Sequence, residues 1–227
     1  MYHSWNLRRL LRYLALDTAL VLAAILLTHL GKHHFPAVDS AGGVSLPVLM
    51  YHSVAPVPEQ QYCVTPETLE SDLRYLQAHG YETVSPEELV AYTNGNGTLP
   101  EKPVMLTFDD GLYNNLSLVL PLLETYDMCA VVSVVGIFTD EYAPDAPHND
   151  VYSYLTWEDL KQMHDSGRIT LGSHTYDMHE NGTRQGCAKT DWETEEEYHE
   201  TLYADLSLMQ TRFQEELQIQ PAVFAYP

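Results

Sequence analysis

Residues 104–111, V-M-L-T-F-D-D-G, limit the folds open to this chain more than any other stretch. Val104, Leu106 and Phe108 form an apolar run that suits a buried strand, and Gly111 permits the sharp turn that ends it. Further strands are expected at residues 46–53, 81–84, 129–136, 169–172 and 222–226. Helix starts stand between them: Thr65 followed by Pro66, and capping boxes from Ser85 to Glu88 and from Thr156 to Asp159. Tyr198, Leu202, Leu206, Met209, Phe213 and Leu217 trace the core face of a long helix. Leu116, Val119, Leu120 and Leu123 mark another, which Pro121 must start or kink. The stretches from residue 137 to Tyr154 and from 180 to 193 read as loop. Strands alternating with helices imply parallel strands joined by right-handed crossovers, in a barrel or a doubly wound sheet. A chain that stops on a strand leaves a bare parallel edge, so the domain is expected to be cut short at its C-terminus.

The 227 residues are 45% apolar, enough for one sizeable domain, and carry a formal net charge of −21. Such a polyanion argues against binding nucleic acid or an anionic surface, and is compatible with an uncharged glycan. Residues 13–30 are almost wholly apolar, broken only by Asp17, and Arg8, Arg9 and Arg12 stand just before them. By the positive-inside rule, residues 1–12 stay in the cytoplasm and everything after Lys32 lies outside. Residues 13–31 are then a single-pass anchor in the cell membrane, with a cleaved secretory signal as the alternative. Residues 32–45 read as a linker and 46–227 as the folded extracellular domain. Cys63, Cys129 and Cys187 cannot all pair within one chain; Cys129 suits a buried thiol, and a Cys63–Cys187 pairing stays open.

Chemistry-bearing residues gather where strands end, which is where α/β folds place their ligands. Asp109 and Asp110 close the central strand. Two adjacent acids can divide the work, one binding a cation while the other moves a proton. Directly after the strand at 169–172 comes S-H-T-Y-D-M-H, residues 173–179. His174 and His179 together with one carboxylate make a two-His, one-carboxylate face, which leaves positions open for water and substrate. His52 ends the first strand, and Tyr176 and Tyr226 flank the expected site, so all three are candidate pocket residues. His148 reads as solvent-facing and Trp157 as core packing.

Taken in order, L-P-V-L-M-Y-H-S, L-T-F-D-D-G, S-H-T-Y-D-M-H and F-A-Y-P resemble the NodB-homology polysaccharide deacetylases, carbohydrate esterase family four, over residues 46–227. The spacing of His174 and His179 is similar to that of the poly-N-acetylglucosamine deacetylase branch. The resemblance implies a distorted (β/α) barrel and metal-dependent removal of acetyl groups from N-acetylglucosamine polymers, in peptidoglycan or exopolysaccharide. It gives Asp109 the role of general base and makes Asp110, His174 and His179 ligands to a divalent ion, with Zn2+ the expected one. Pro227 matches the proline of the family's third motif, whose following aromatic-glycine pair helps hold the oxyanion. Neither that pair nor the late Leu-x-His motif that protonates the leaving amine occurs in residues 46–227, and Ala225 stands where many members carry arginine. Two other readings stay open: an O-acetyl xylan esterase, and a non-catalytic surface protein that binds metal or glycan.

Overall fold

The computed structural model describes residues 13, 16–22, 43–58, 60–142, 147–181 and 184–227. The chain divides into two compact units, Met1–Gly43 and Val44–Pro227. In the first, residues 13 and 16–22 are helical; no helix among the described residues is long and apolar enough to cross a membrane. Most of the anchor or signal expected at 13–31, and most of the linker at 32–45, lies outside the described residues.

In chain order the second unit comprises β1 (Val48–Tyr51), β2 (Ser53–Val54), β3 (Cys63–Val64), α1 (Pro66–Ala78), β4 (Glu82–Thr83), α2 (Pro86–Thr93) and β5 (Pro103–Phe108). A π-helical turn (Asn115–Val119) runs into α3 (Leu120–Tyr126), followed by β6 (Ala130–Val134), α4 (Gly136–Glu141), α5 (Trp157–Asp165) and β7 (Ile169–Ser173). The hairpin β8 (Glu180–Asn181) and β9 (Arg184–Gln185) precedes α6 (Glu195–Leu217). The main sheet has the order β1-β5-β6-β7, parallel throughout, with β4 pairing the opening residues of β5. Every one of these strands therefore delivers its carboxyl end to the same rim.

Local signals explain where the elements begin. Thr65 accepts the Thr68 N–H at 3.2 Å with Pro66 in the first turn, and capping boxes open α2, α5 and α6 at Ser85, Thr156 and Thr194. Pro121 explains the π-turn. It lacks an N–H, and its ring crowds the carbonyl four residues back, so the backbone widens and Leu120 N–H donates to the Asn115 carbonyl five residues earlier.

Leu106, Phe108, Val132, Val134 and Leu171 turn to one face of the sheet and pack with Leu69, Leu73, Leu123, Leu160 and Phe213 of the helices. On the other face a smaller cluster joins Val84, Met105 and Val131 to Leu46, Leu89, Leu99 and Val223. Three expectations need correction. The strand expected at 222–226 is reduced to one parallel bridge between Ser173 and Phe224, and no pairing among the described residues joins it to β1. The loop expected after residue 136 begins with a helix, α4, and the one at 180–193 contains a hairpin. Cys129, expected to be a buried thiol, is only partly buried; Cys187 is the buried one, and all three cysteines are free thiols, which closes the question of a Cys63–Cys187 pairing.

Candidate active site

The rim of the sheet gathers an acid pair and an imidazole pair. His179 Nε2 lies 3.1 Å from Asp110 Oδ1, and His174 Nε2 lies 3.6 Å from the same oxygen. One ligand atom from each of Asp110, His174 and His179 falls within 4.8 Å of the others. The arrangement follows from the register: β5 and β7 flank β6 in parallel, so the residues just past their ends emerge on the same rim. Three backbones there take the left-handed conformation, Asp110 at φ 73°, Gly111 at φ 73° and Thr175 at φ 75°. Strain of about 1–3 kcal/mol at each non-glycine position persists only where the surroundings enforce it, and it turns both loops back over the rim.

The two adjacent aspartates shift in opposite directions. Burial holds the Asp109 carboxyl above the ordinary carboxylate range, against the opposing pull of His174 and His52. Burial raises Asp110 too, but the hydrogen bond and charge of His179, with His52 and His174, outweigh it and leave Asp110 below that range. Asp110 is thus held anionic, while Asp109 has the greater proton affinity. Asp109 Oδ1 is buried with no hydrogen-bond partner among the described residues, which leaves a lone pair for a ligand. His174 is lowered by its burial, partly offset by the Ala225 carbonyl and by Asp109, so it presents a neutral ring.

The tautomer of His174 follows from its partner. Its Nδ1 lies 2.9 Å from the Ala225 carbonyl, an acceptor only, so Nδ1 carries the proton and Nε2 offers its lone pair toward Asp110. Ala225 N–H in turn donates to the Ser173 carbonyl at 2.9 Å, which fastens F-A-Y-P beside the imidazole loop. That loop is held from two more sides. Asp205 of α6 accepts the Tyr176 and Asp177 N–H groups at 2.8 and 2.7 Å. The first amides of α4, Gly136 and Ile137, donate to the Thr175 and Tyr176 carbonyls at 3.0 and 2.9 Å, so the otherwise unpaired amides of a helix start become the loop's anchor. A Cβ at Gly136 would meet Tyr176 Cδ2 at 2.5 Å, which explains the glycine there.

The remaining candidates fall in different places. His52 sits just past β1 and acts electrostatically on both aspartates; Asn115 Nδ2 donates to its carbonyl at 3.2 Å. Tyr176 is turned elsewhere: its hydroxyl donates to Asp140 at 3.0 Å, in a cluster where Asp140 also takes Trp157 Nε1 at 2.7 Å and Arg212. Tyr226 is 62% exposed and packs edge-on against Phe224 at 6.3 Å, and Pro227 lies against Gly186. His148 bonds Asp159 at 3.0 Å and stacks on Tyr113, and Trp157 packs edge-on against Phe213 in the core. Asp205 and the Ala225 carbonyl were not among the sequence candidates. A backbone carbonyl has no residue-type signature, and Asp205 looks like any acid on an acidic helix.

A family model of polysaccharide deacetylases matches residues 96–227, and the chain belongs to that family. Among curated relatives, the poly-beta-1,6-N-acetyl-D-glucosamine N-deacetylase of Escherichia coli (strain K12) is 26% identical over 200 residues, 79% of this chain and 30% of the relative. The chain thus spans less than a third of that protein's length. Two solved structures superpose well. A de-N-acetylase from Aggregatibacter actinomycetemcomitans has a TM-score of 0.67 at 27% identity, covering 79% of this chain and 78% of that one. IcaB from Ammonifex degensii has a TM-score of 0.67 at 28% identity, covering 82% and 75%.

Proposed function

We propose that this chain is a polysaccharide N-deacetylase that hydrolyses acetamido groups of N-acetylglucosamine polymers. The observation that carries the reading is the convergence of Asp110, His174 and His179 on one point beside a buried carboxylate of raised proton affinity. The donor set fits a divalent cation: two imidazoles and one carboxylate suit Zn2+, and the Nδ1 tie of His174 leaves the correct nitrogen facing the site. When bound, such an ion polarises a carbonyl and acidifies a water. Asp109 does the proton work, accepting a proton from the water that attacks the acetyl carbon. Hydroxide adds to that carbon, the C–N bond breaks, and the proton taken up by Asp109 is returned to the leaving nitrogen, giving a free amine and acetic acid, which ionises to acetate. Asp110, pinned anionic by His179, keeps the ligand set negatively charged while Asp109 cycles.

The test is acetate release from β-1,6-linked N-acetylglucosamine oligomers, with and without chelator. Asp109→Asn is expected to lower kcat by about 10²- to 10⁴-fold while zinc still binds. Because a base must be ionised, kcat/KM should fall as pH drops through the raised pKa of Asp109, at higher pH than for an ordinary aspartate. Acetate from acetylated xylan alone would make the chain an esterase, and stoichiometric zinc with no acetate from either substrate would make it a binding protein. The same reading sets the domain outside the cell membrane, anchored through residues 13–31 or released by cleavage there. Protease digestion of intact cells separates an outer domain from an inner one.

A further inference from the structure

With 6 residues, α4 is too short to hold a helix unaided, yet most of it presses on the loop that carries His174 and His179. Gly136 and Ile137 donate to the loop's carbonyls, and the Phe138 ring meets the His179 ring edge-on, centroids 6.1 Å apart. Asp140 accepts the Tyr176 hydroxyl at 3.0 Å. The same carboxylate takes the Trp157 Nε1–H of α5 at 2.7 Å. From α6 it takes Arg212, with Nε 3.0 Å from Oδ2 and Nη2 2.7 Å from Oδ1. Such a two-pronged guanidinium–carboxylate pair fixes direction as well as distance. Arg212 is itself braced, reaching Glu215 and Glu216 at 3.0 and 2.9 Å and lying 5.5 Å from the centroid of the Trp157 ring.

Burial raises the Asp140 carboxyl, but the hydrogen bonds of Arg212, Trp157 and Tyr176 outweigh it and leave it below the ordinary carboxylate range, so it stays anionic. One charged group thus ties α4 to α5, to α6 and to the imidazole loop. Asp140 stands outside the group formed by Asp110, His174 and His179, so its influence on them passes through the loop. The two imidazoles differ in how they are held. His174 is fixed at its own ring by the Ala225 carbonyl, whereas His179 lies three residues beyond Tyr176, against Phe138 of α4. We propose that Asp140, clamped by Arg212 and Trp157, is a positioning residue for the ion site, acting through the Tyr176 hydroxyl to set where His179 stands relative to Asp110 and His174. This rests on the ion site of the reading above, and extends control of that site to residues outside its ligands. A cluster that only stapled helices together would support stability and leave the ligands alone.

Tyr176→Phe, Asp140→Asn, the double variant and Arg212→Lys test it, with Leu123→Ala in the core as a comparison. Each protein is measured for zinc Kd, by competition with a chromogenic chelator, and for the urea midpoint of its apo form. Tyr176→Phe removes one oxygen and keeps the ring, and Asp140→Asn removes the charge. Each is expected to raise zinc Kd about 10-fold. The double variant should stay within about 2-fold of the larger single effect, because both changes cut the same link. Arg212→Lys keeps the charge but not the fork, so its Kd should fall between wild type and Asp140→Asn. Leu123→Ala should lower the urea midpoint with zinc Kd unchanged. An unchanged zinc Kd in Tyr176→Phe and Asp140→Asn overturns the positioning role, even if both unfold at lower urea. Effects that multiply in the double variant overturn the route through Tyr176. A wild type that binds no zinc removes the ion site and this role together. None of these readouts needs turnover, so zinc binding without acetate release strikes the deacetylase reading alone and leaves the Kd series to decide this one.

Discussion

Two walls meet at the rim of this sheet, and they are built differently. The wall carrying His174 and His179 is tied at every turn: to Ala225 through an imidazole proton, to Asp205 through two amides, and to α4 through the carbonyls of Thr175 and Tyr176. His174 is only 3% exposed there. A second stretch at the rim, His52 and residues 60–62, is fixed in its backbone by the pairing of two-residue strands, and its Tyr62 side chain is 60% exposed. A loop that must hold ligand atoms to fractions of an ångström needs its rotamers locked by neighbours. A loop that meets a polymer with hydroxyls on every side needs a firm backbone and uncommitted side chains.

The contrast can be broken from either side. The largest effect should come from Asp205→Ala, which frees two amides of the tied loop without touching the site. Zinc affinity, read by competition with a chromogenic chelator, should drop by about 10- to 100-fold. Asp205→Asn, which keeps one acceptor, should lose less, and equal affinity in all three proteins would show that the ties do not govern the ligands. A smaller effect is expected from Gly136→Ala, whose added methyl group meets Tyr176 at 2.5 Å and Met209 Sδ at 2.7 Å. Overpacking of that kind costs about 1–3 kcal/mol, so the apo protein should unfold in urea at a lower midpoint than wild type. The smallest belongs to the open wall: Gln61→Ala should shift stability by no more than about 0.5 kcal/mol and leave zinc affinity unchanged.

Much of this layout was legible in the sequence because its signals are local. Thr65, Ser85 and Thr156 cap helices through side chains three residues from their partners, Asp109, Asp110 and His174 stand directly after runs that fit buried strands, and His179 follows on the same loop as His174. What escaped depends on tertiary contact. The six residues of α4 are too few for a periodic pattern, and that helix exists because Thr175 and Tyr176 supply carbonyls to its first amides. Tyr176, a neighbour of the ligands in sequence, turns away because Asp140, set between Arg212 and Trp157, offers its hydroxyl a charged acceptor. Likewise the segment at 222–226 has strand composition but meets β7 at only one bridge.

The convergence of three ligands on one ion is most directly tested by X-ray absorption spectroscopy of the zinc-loaded protein. The geometry described here predicts nitrogen and oxygen scatterers at about 2.0–2.2 Å, with multiple scattering from two imidazoles that falls to one in His174→Ala. A sulfur shell at about 2.3 Å, pointing to a cysteine ligand, or a zinc spectrum unchanged in His174→Ala, would contradict it.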